Sequence, residues 1–327
     1  MKWLAIIIAL CGLIAAPAFA SNVGFEEVKI SNGAEPPLVA GIWYPTDSPA
    51  APHALGNATQ TVALDAPIAG EHLPLVVMSH GGASWYGNHY DTALALAHAG
   101  FVAAAVSHAG DTYDDQSQVL KLWRRPAQLH RLIDYMLDEW RGHAQLNAAH
   151  IGAFGFSNGG FTVLVAAGGN PDLTKIAPFC DAHPDHDLCA TLKHAGVDLR
   201  SAANVPADAW VHDPRIGAVV IAAPSFGFTF DRAALSGVRV PVQLWSAADD
   251  RHQPHPYYDE PVRVDLPNAP DYRVVANAGH YDFLPPCDAR LSRMRPEICT
   301  SETGFDRSAF HEQFNAEVVK AFQTMLK

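Results

Sequence analysis

The chain has 327 residues, 49% of them apolar, and a formal net charge of −12. That acidity argues against nucleic acid or an anionic membrane surface as a partner, because both would repel it, and it otherwise serves solubility. The length supports one large core, so one main domain with an insertion is expected rather than a string of modules.

The N-terminus opens with Met1 and Lys2, an apolar run over residues 4–16, and then Ala18-Phe19-Ala20. Small residues at those two positions suit a signal peptidase, so residues 1–20 read as a secretory signal and the mature chain as residues 21–327, periplasmic or secreted. The run is short for a membrane span and no charged stop follows, which argues against stable membrane insertion. Cys11 falls in the discarded segment.

Residues 23–30 and 38–44 read as an opening pair of strands, and the Pro-, Ala- and Gly-rich residues 46–73 as a long loop. Residues 75–78 are wholly apolar, which suits a strand buried on both faces. A helix is predicted over 88–99, with Gly100 placed to end it. Residues 101–106 form another buried strand, and residues 126–140 a helix with Leu129, Leu132, Ile133 and Met136 on one face. A strand over 151–156 leads into a helix from 158 to about 167. The alternation implies a mostly parallel central sheet flanked by helices.

The pattern breaks over about 169–215, where Pro171, Pro178 and Pro184 fall, and this stretch reads as a cap insertion over the sheet's active edge. Alternation resumes with strands at 216–222, 242–245 and 272–275. A last helix starts near Asp306, with Phe310, Phe314, Val318 and Phe322 making one apolar packing stripe.

Cys180, Cys189, Cys287 and Cys299 remain after the leader, an even number suited to disulfides in an exported chain. Their spacing favours two local loops, Cys180–Cys189 and Cys287–Cys299, among the three pairings that four cysteines allow. No Cys-x-x-Cys pair suggests metal ligation. His183, Asp185, His186 and Asp187 have metal-like residue types, but they lie inside the first cysteine loop, and the chemistry below needs no metal and no cofactor.

The strongest chemical signal is Gly155-Phe156-Ser157-Asn158-Gly159, which follows a strand and opens a helix. A serine on so sharp a turn lifts its hydroxyl above the sheet, and glycines two residues to either side let the backbone crowd together. Ser157 is thus the candidate nucleophile, and it needs a base. Of 17 histidines, His280 stands just after the last predicted strand, preceded by Gly279. The acid that orients such a base belongs after the strand at 242–245, where Asp249 and Asp250 both stand; Pro254, four residues past Asp250, favours the latter. The order Ser, Asp, His along the chain is that of α/β-hydrolases. An oxyanion hole takes one N–H from Asn158 and a second from the loop Ser79-His80-Gly81-Gly82, where Gly82 allows the closest approach and His80 serves as a brace. Trp85 and Tyr86 are either pocket-lining or exposed loop aromatics.

Trp43-Tyr44-Pro45, the Ser79-His80-Gly81-Gly82 loop, the Gly-Phe-Ser-Asn-Gly-Gly elbow, the Ala-Gly-His-Tyr-Asp-Phe-Leu segment and the tail from Pro296-Glu297-Ile298-Cys299 to Phe314 together resemble bacterial predicted dienelactone hydrolases. These are relatives of the plasma-type platelet-activating-factor acetylhydrolases. The resemblance implies an α/β-hydrolase fold, a Ser157–Asp250–His280 triad and oxyanion donors at Gly82 and Asn158. Its register over residues 245–258 favours Asp250. Authentic dienelactone hydrolases use a cysteine nucleophile, and the serine here shifts weight to ordinary short-acyl or lipid-like esters. A peptidase or amidase on the same fold, and a catalytically silent fold used for binding, are the alternatives.

Overall fold

The computed structural model describes residues 22–194, 196–200 and 204–327, so the predicted signal segment lies outside the described residues. Among the described residues ten strands follow in chain order: β1 (Asn22–Asn32), β2 (Glu35–Thr46), β3 (Ala51–Leu55), β4 (Ala58–Leu64), β5 (Leu73–Ser79), β6 (Val102–Ser107), β7 (Leu146–Phe156), β8 (Ile216–Ala222), β9 (Val242–Ala247) and β10 (Asp271–Val275). The helices are α1 (Tyr90–His98), α2 (Arg124–Asp138), α3 (Asn158–Ala166), α4 (Ile176–Ala182), α5 (Asp187–His194), α6 (Asp259–Asp265), α7 (Ala289–Met294), α8 (Pro296–Cys299) and α9 (Arg307–Met325).

The strand order is β10-β9-β8-β7-β5-β6-β2-β1-β4-β3. From β6 to β10 every neighbouring pair is parallel, while β2 joins β6 antiparallel and β1 joins β2 antiparallel. The central parallel strands β5, β6 and β8 and the second half of β7 are buried on both faces, which explains their apolar sequence, while β10 lies at the exposed edge. Successive residues alternate between two cores: Leu75 and Val77 face α2 and α3, and Val76 and Met78 face α1 and α9. Phe314, Val318 and Phe322 of the predicted stripe are fully buried. A side chain at Gly152 would strike Phe322, so the glycine lets α9 lie close against β7.

Two expectations fail. Residues 46–73 contain the β3–β4 hairpin, in which Leu55 pairs with Ala58 across a Gly56-Asn57 turn, with Gly56 at φ +58°. Gly-Asn between two strands is a known hairpin signal, here outweighed in the sequence by the proline content. Between β8 and β9 the described chain carries a single short 3-10 turn, Gly227–Thr229, and no α-helix. Phe226 there adopts a left-handed conformation, and Gly227 packs directly on the Tyr258 carbonyl, leaving no room for a regular helix.

Between α3 and β8 the chain makes a long excursion through α4 and α5. Cys180 bonds to Cys189 and Cys287 to Cys299, the two local pairings favoured by spacing. No helix among the described residues is long and apolar enough to cross a membrane.

Candidate active site

The C-terminal ends of β5, β7, β9 and β10 meet along one rim of the sheet, where ligands of open α/β sheets bind. β7 ends at Phe156 and α3 begins at Asn158, so Ser157 alone makes the turn, at φ 55° and ψ −120°. A non-glycine residue there is strained, and the surroundings enforce it. A side chain at Gly155 would strike the Gly159 carbonyl, and one at Gly159 the Ser79 carbonyl. The Ser157 N–H donates to the Ala222 carbonyl at 3.0 Å.

His280 follows β10 and is buried; its Nε2 lies 3.1 Å from Ser157 Oγ, and its Nδ1 lies 2.7 Å from Asp250 Oδ2. With the Asp250 carboxylate on Nδ1, that nitrogen carries the proton and Nε2 is left to accept from the serine. Asp250 Oδ1 accepts the N–H groups of His252 (2.8 Å) and Gln253 (2.7 Å). Burial pushes the Asp250 carboxyl up, but His280 and the two backbone donors outweigh it and hold it below the ordinary value. The neighbouring Asp249 is exposed and only its backbone N–H is engaged, on the Ala278 carbonyl.

Asn158 heads α3, where the first N–H groups have no acceptor within the helix. Gly82 is exposed beside it: a Cβ at residue 82 would come within 2.7 Å of Asn158 Nδ2. The loop carrying Gly82 is held from beneath by a buried polar network that the sequence did not reveal. Arg125, on α2, pairs with Asp111 at 2.5 Å, and its guanidinium also reaches the His80 carbonyl and, at 3.0 Å, Thr162 Oγ1 of α3. Asp111 in turn accepts the Ala83 N–H at 2.6 Å, and Thr162 donates to the Asn158 carbonyl at 2.7 Å. Burial, reinforced by the Arg125 charge, holds His80 and His108 well below their ordinary pKa, so both imidazoles are neutral. His80 donates from Nδ1 to the Gly81 carbonyl and accepts the His108 N–H on Nε2, the bracing role expected of it.

The turn carrying His280 has its own support. Asp282 Oδ2 accepts the Gly279 N–H at 2.8 Å, and Asp282 Oδ1 takes the Arg307 guanidinium at 2.9 Å. His311 of α9 reaches the Asp282 carbonyl from Nε2 and Asp91 of α1 from Nδ1.

Ser157 opens into a cleft of about 400 Å³. α5 lines it with Asp187, Leu188 and Thr191, and Leu284, Arg295 and Ile298 line it as well. A disulfide anchors each of these segments, Cys180–Cys189 at α5 and Cys287–Cys299 at α8. Trp85 and Tyr86 do not line the cleft. Tyr86 is buried against Trp43 and donates to Glu27, and Trp85 packs over Gly56 and Gly87. The aromatic lining comes instead from Tyr113, Phe156, Phe226, Tyr258 and Tyr281. His183 and His186 lie against the rings of Tyr257 and Tyr258, and Asp187 bonds His252 Nδ1 at 2.5 Å. Among the described residues no group of three or more His, Cys, Asp or Glu side chains is arranged to hold a metal ion.

No family model matches the chain, and no curated protein does. Among solved structures it is similar to a dienelactone hydrolase from Anabaena variabilis ATCC 29413, with 14% identity and a TM-score of 0.51 over 94% of this chain and 100% of that one. At that identity the likeness speaks for the architecture. The parallel sheet, its antiparallel opening strands and the helices on both faces are together the α/β-hydrolase fold in its dienelactone-hydrolase-like form.

Proposed function

We propose that this chain is an exported serine hydrolase that cleaves carboxylic esters with short-acyl or lipid-like groups, using Ser157, His280 and Asp250. The observation that carries the reading is the unbroken line from the Asp250 carboxylate through His280 to Ser157 Oγ, at 2.7 and 3.1 Å. A serine hydroxyl is a weak nucleophile until a base takes its proton, and the imidazole stands where it can do so. His280 Nε2 takes the Ser157 proton as Oγ attacks the ester carbonyl carbon. The N–H groups of Gly82 and Asn158 hold the oxyanion, and each such donor contributes about 3 kcal/mol to the transition state. The imidazolium then gives its proton to the departing alkoxide, leaving an acyl-serine. Water attacks that acyl group by the same route and frees the acid and Ser157.

Export is supported by the predicted leader at residues 1–20 and by the two disulfides, which persist in oxidising compartments. The excursion over 169–215 acts as the cap, since its α5 forms one wall of the cleft. The cleft is lined by polar and apolar side chains in similar measure, and its Asp187 and Arg295 are paired with His252 and Glu297, which suits a neutral ester.

The test is hydrolysis of esters of graded acyl length, with the matching amides in parallel, by wild type and Ser157→Ala. Ester turnover is expected to fall by about 10⁵-fold or more in the variant. Full activity in Ser157→Ala, or amides cleaved as fast as esters, would contradict the reading.

A further inference from the structure

Ser157 Oγ has a second polar neighbour. Ser225, just past β8, places its hydroxyl 3.2 Å from Ser157 Oγ, and Gln253 Nε2 lies 2.9 Å from Ser225 Oγ. Ser225 is 3% exposed and its backbone is pinned, with its N–H on the Ser157 carbonyl at 3.1 Å. The segment before it is wedged against the elbow, where a side chain at Gly160 would meet Pro224. Gln253 belongs to the loop of the triad acid, and its own N–H holds Asp250. Gln253 therefore links the two ends of the triad: its backbone N–H holds the acid, and its amide holds Ser225, which in turn contacts Ser157.

Counting protons fixes what this arrangement does. Each hydroxyl has a single proton to donate. If His280 is to take the Ser157 proton, that proton must point to His280 Nε2, so the contact with Ser225 has to be donated by Ser225. Ser225 can do so because its own oxygen accepts from the Gln253 amide. We propose that Ser225 is a further catalytic residue of this site and Gln253 its positioning residue: the amide aims the Ser225 proton at Ser157 Oγ, and that aims the Ser157 proton at His280. The inference rests on the triad reading above. Donors then run in one direction, from Gln253 to Ser225 to Ser157 to His280, and each bond polarises the next. During attack Ser225 keeps its proton, while the Ser157 proton passes to His280 and the Oγ–carbon bond forms. Were the amide oxygen placed on Ser225 instead, the Ser225 proton would be drawn away from the nucleophile and the Ser157 proton would lose its guide.

The experiment measures the rate of Ser157 labelling by a fluorophosphonate, with kcat and KM on a short-acyl ester, in the full chain. Ser225→Ala is expected to slow labelling and kcat about tenfold with KM little changed, the size of one lost hydrogen bond of about 1.4 kcal/mol. Ser225→Thr, which keeps the hydroxyl, is expected to recover most of that loss. Gln253→Glu, close in size but able only to accept when ionised, is expected to lose as much as Ser225→Ala by turning the Ser225 proton around. Labelling at the wild-type rate in Ser225→Ala or in Gln253→Glu overturns the proposal. So does a Ser225→Thr protein that melts like wild type and labels as slowly as Ser225→Ala, since packing and not the hydroxyl would then be at work. Residual labelling in Ser157→Ala would instead overturn the nucleophile itself, so the two failures are distinguishable.

Discussion

Asp250 has two tasks that can be separated by one substitution. Its carboxylate holds the His280 Nδ1 proton, and its other oxygen ties down two backbone N–H groups of its own loop. In Asp250→Asn the amide oxygen can keep the backbone bonds while the NH₂ turns to Nδ1, which forces the proton onto Nε2, facing Ser157. The base can then no longer accept, and kcat is expected to fall by about 10³- to 10⁴-fold, read in the same ester assay. Stability has the opposite dependence. The folded Asp250 carboxyl is held below its unfolded value of about 3.9. Its contribution is therefore complete above that value and is lost as pH falls through the lower folded one. Urea unfolding between pH 3 and 6 should show wild type losing more stability on acidification than Asp250→Asn. In the sequence Asp250 is favoured over Asp249 by a proline four residues on and by the register of the family resemblance over residues 245–258. Burial of one neighbour and exposure of the other is what separates Asp250 from Asp249.

At the scale of elements, the cleft is a gap between pieces that the sheet does not hold directly. α5 presents Leu188 and Thr191 to it, and Cys189 ties α5 back to Cys180 of α4. Replacing both cysteines by serine frees a loop of nine residues' separation, and the chain-entropy estimate for so short a loop is about 2–3 kcal/mol. Ser157, Asp250 and His280 are carried by strand ends, and this loop reaches them only through the Asp187–His252 bond, so KM is expected to rise several-fold while kcat changes less, with a lower melting temperature. An equal fall in kcat would mean that α5 supports the reacting groups as well as the substrate. The strands and helices themselves were largely legible, since buried parallel strands are written as unbroken apolar runs and α9 as a four-residue stripe. The β3–β4 hairpin was not, because its strands are half exposed and carry Pro52 and His53 where an apolar alternation would be expected.

For the whole molecule, the site depends on two cores meeting at one sheet. α9 packs Phe314 against Phe154, Trp245 and Phe283, and so reaches the strand before Ser157, the strand before Asp250 and the turn of His280. Phe314→Ala leaves a cavity beneath all three and is expected to cost about 3–5 kcal/mol, measured by denaturant unfolding. The folded fraction should still label at Ser157, so the loss belongs to stability. Wild-type stability in that variant would show the stripe to be less central than its burial implies.

Sequence alone determined the parts of this protein whose physics is local. A strand, a strained turn and a helix are written into Gly155-Phe156-Ser157-Asn158-Gly159 because only small residues fit two positions either side of that serine, and a glycine before His280 marks a tight turn after the last strand. The cysteine spacing likewise favoured the short loops that form. What the tertiary structure decided is everything made by residues far apart in the chain with no motif of their own: Ser225 and Gln253 beside Ser157, Arg125 and Asp111 under the loop of Gly82, Asp282 and Arg307 behind His280, and the walls of the cleft. A buried serine, glutamine or ion pair has no periodicity to read. Its role comes from which partner satisfies it, and that partner is chosen only when the sheet closes and burial makes an unpaired polar group costly.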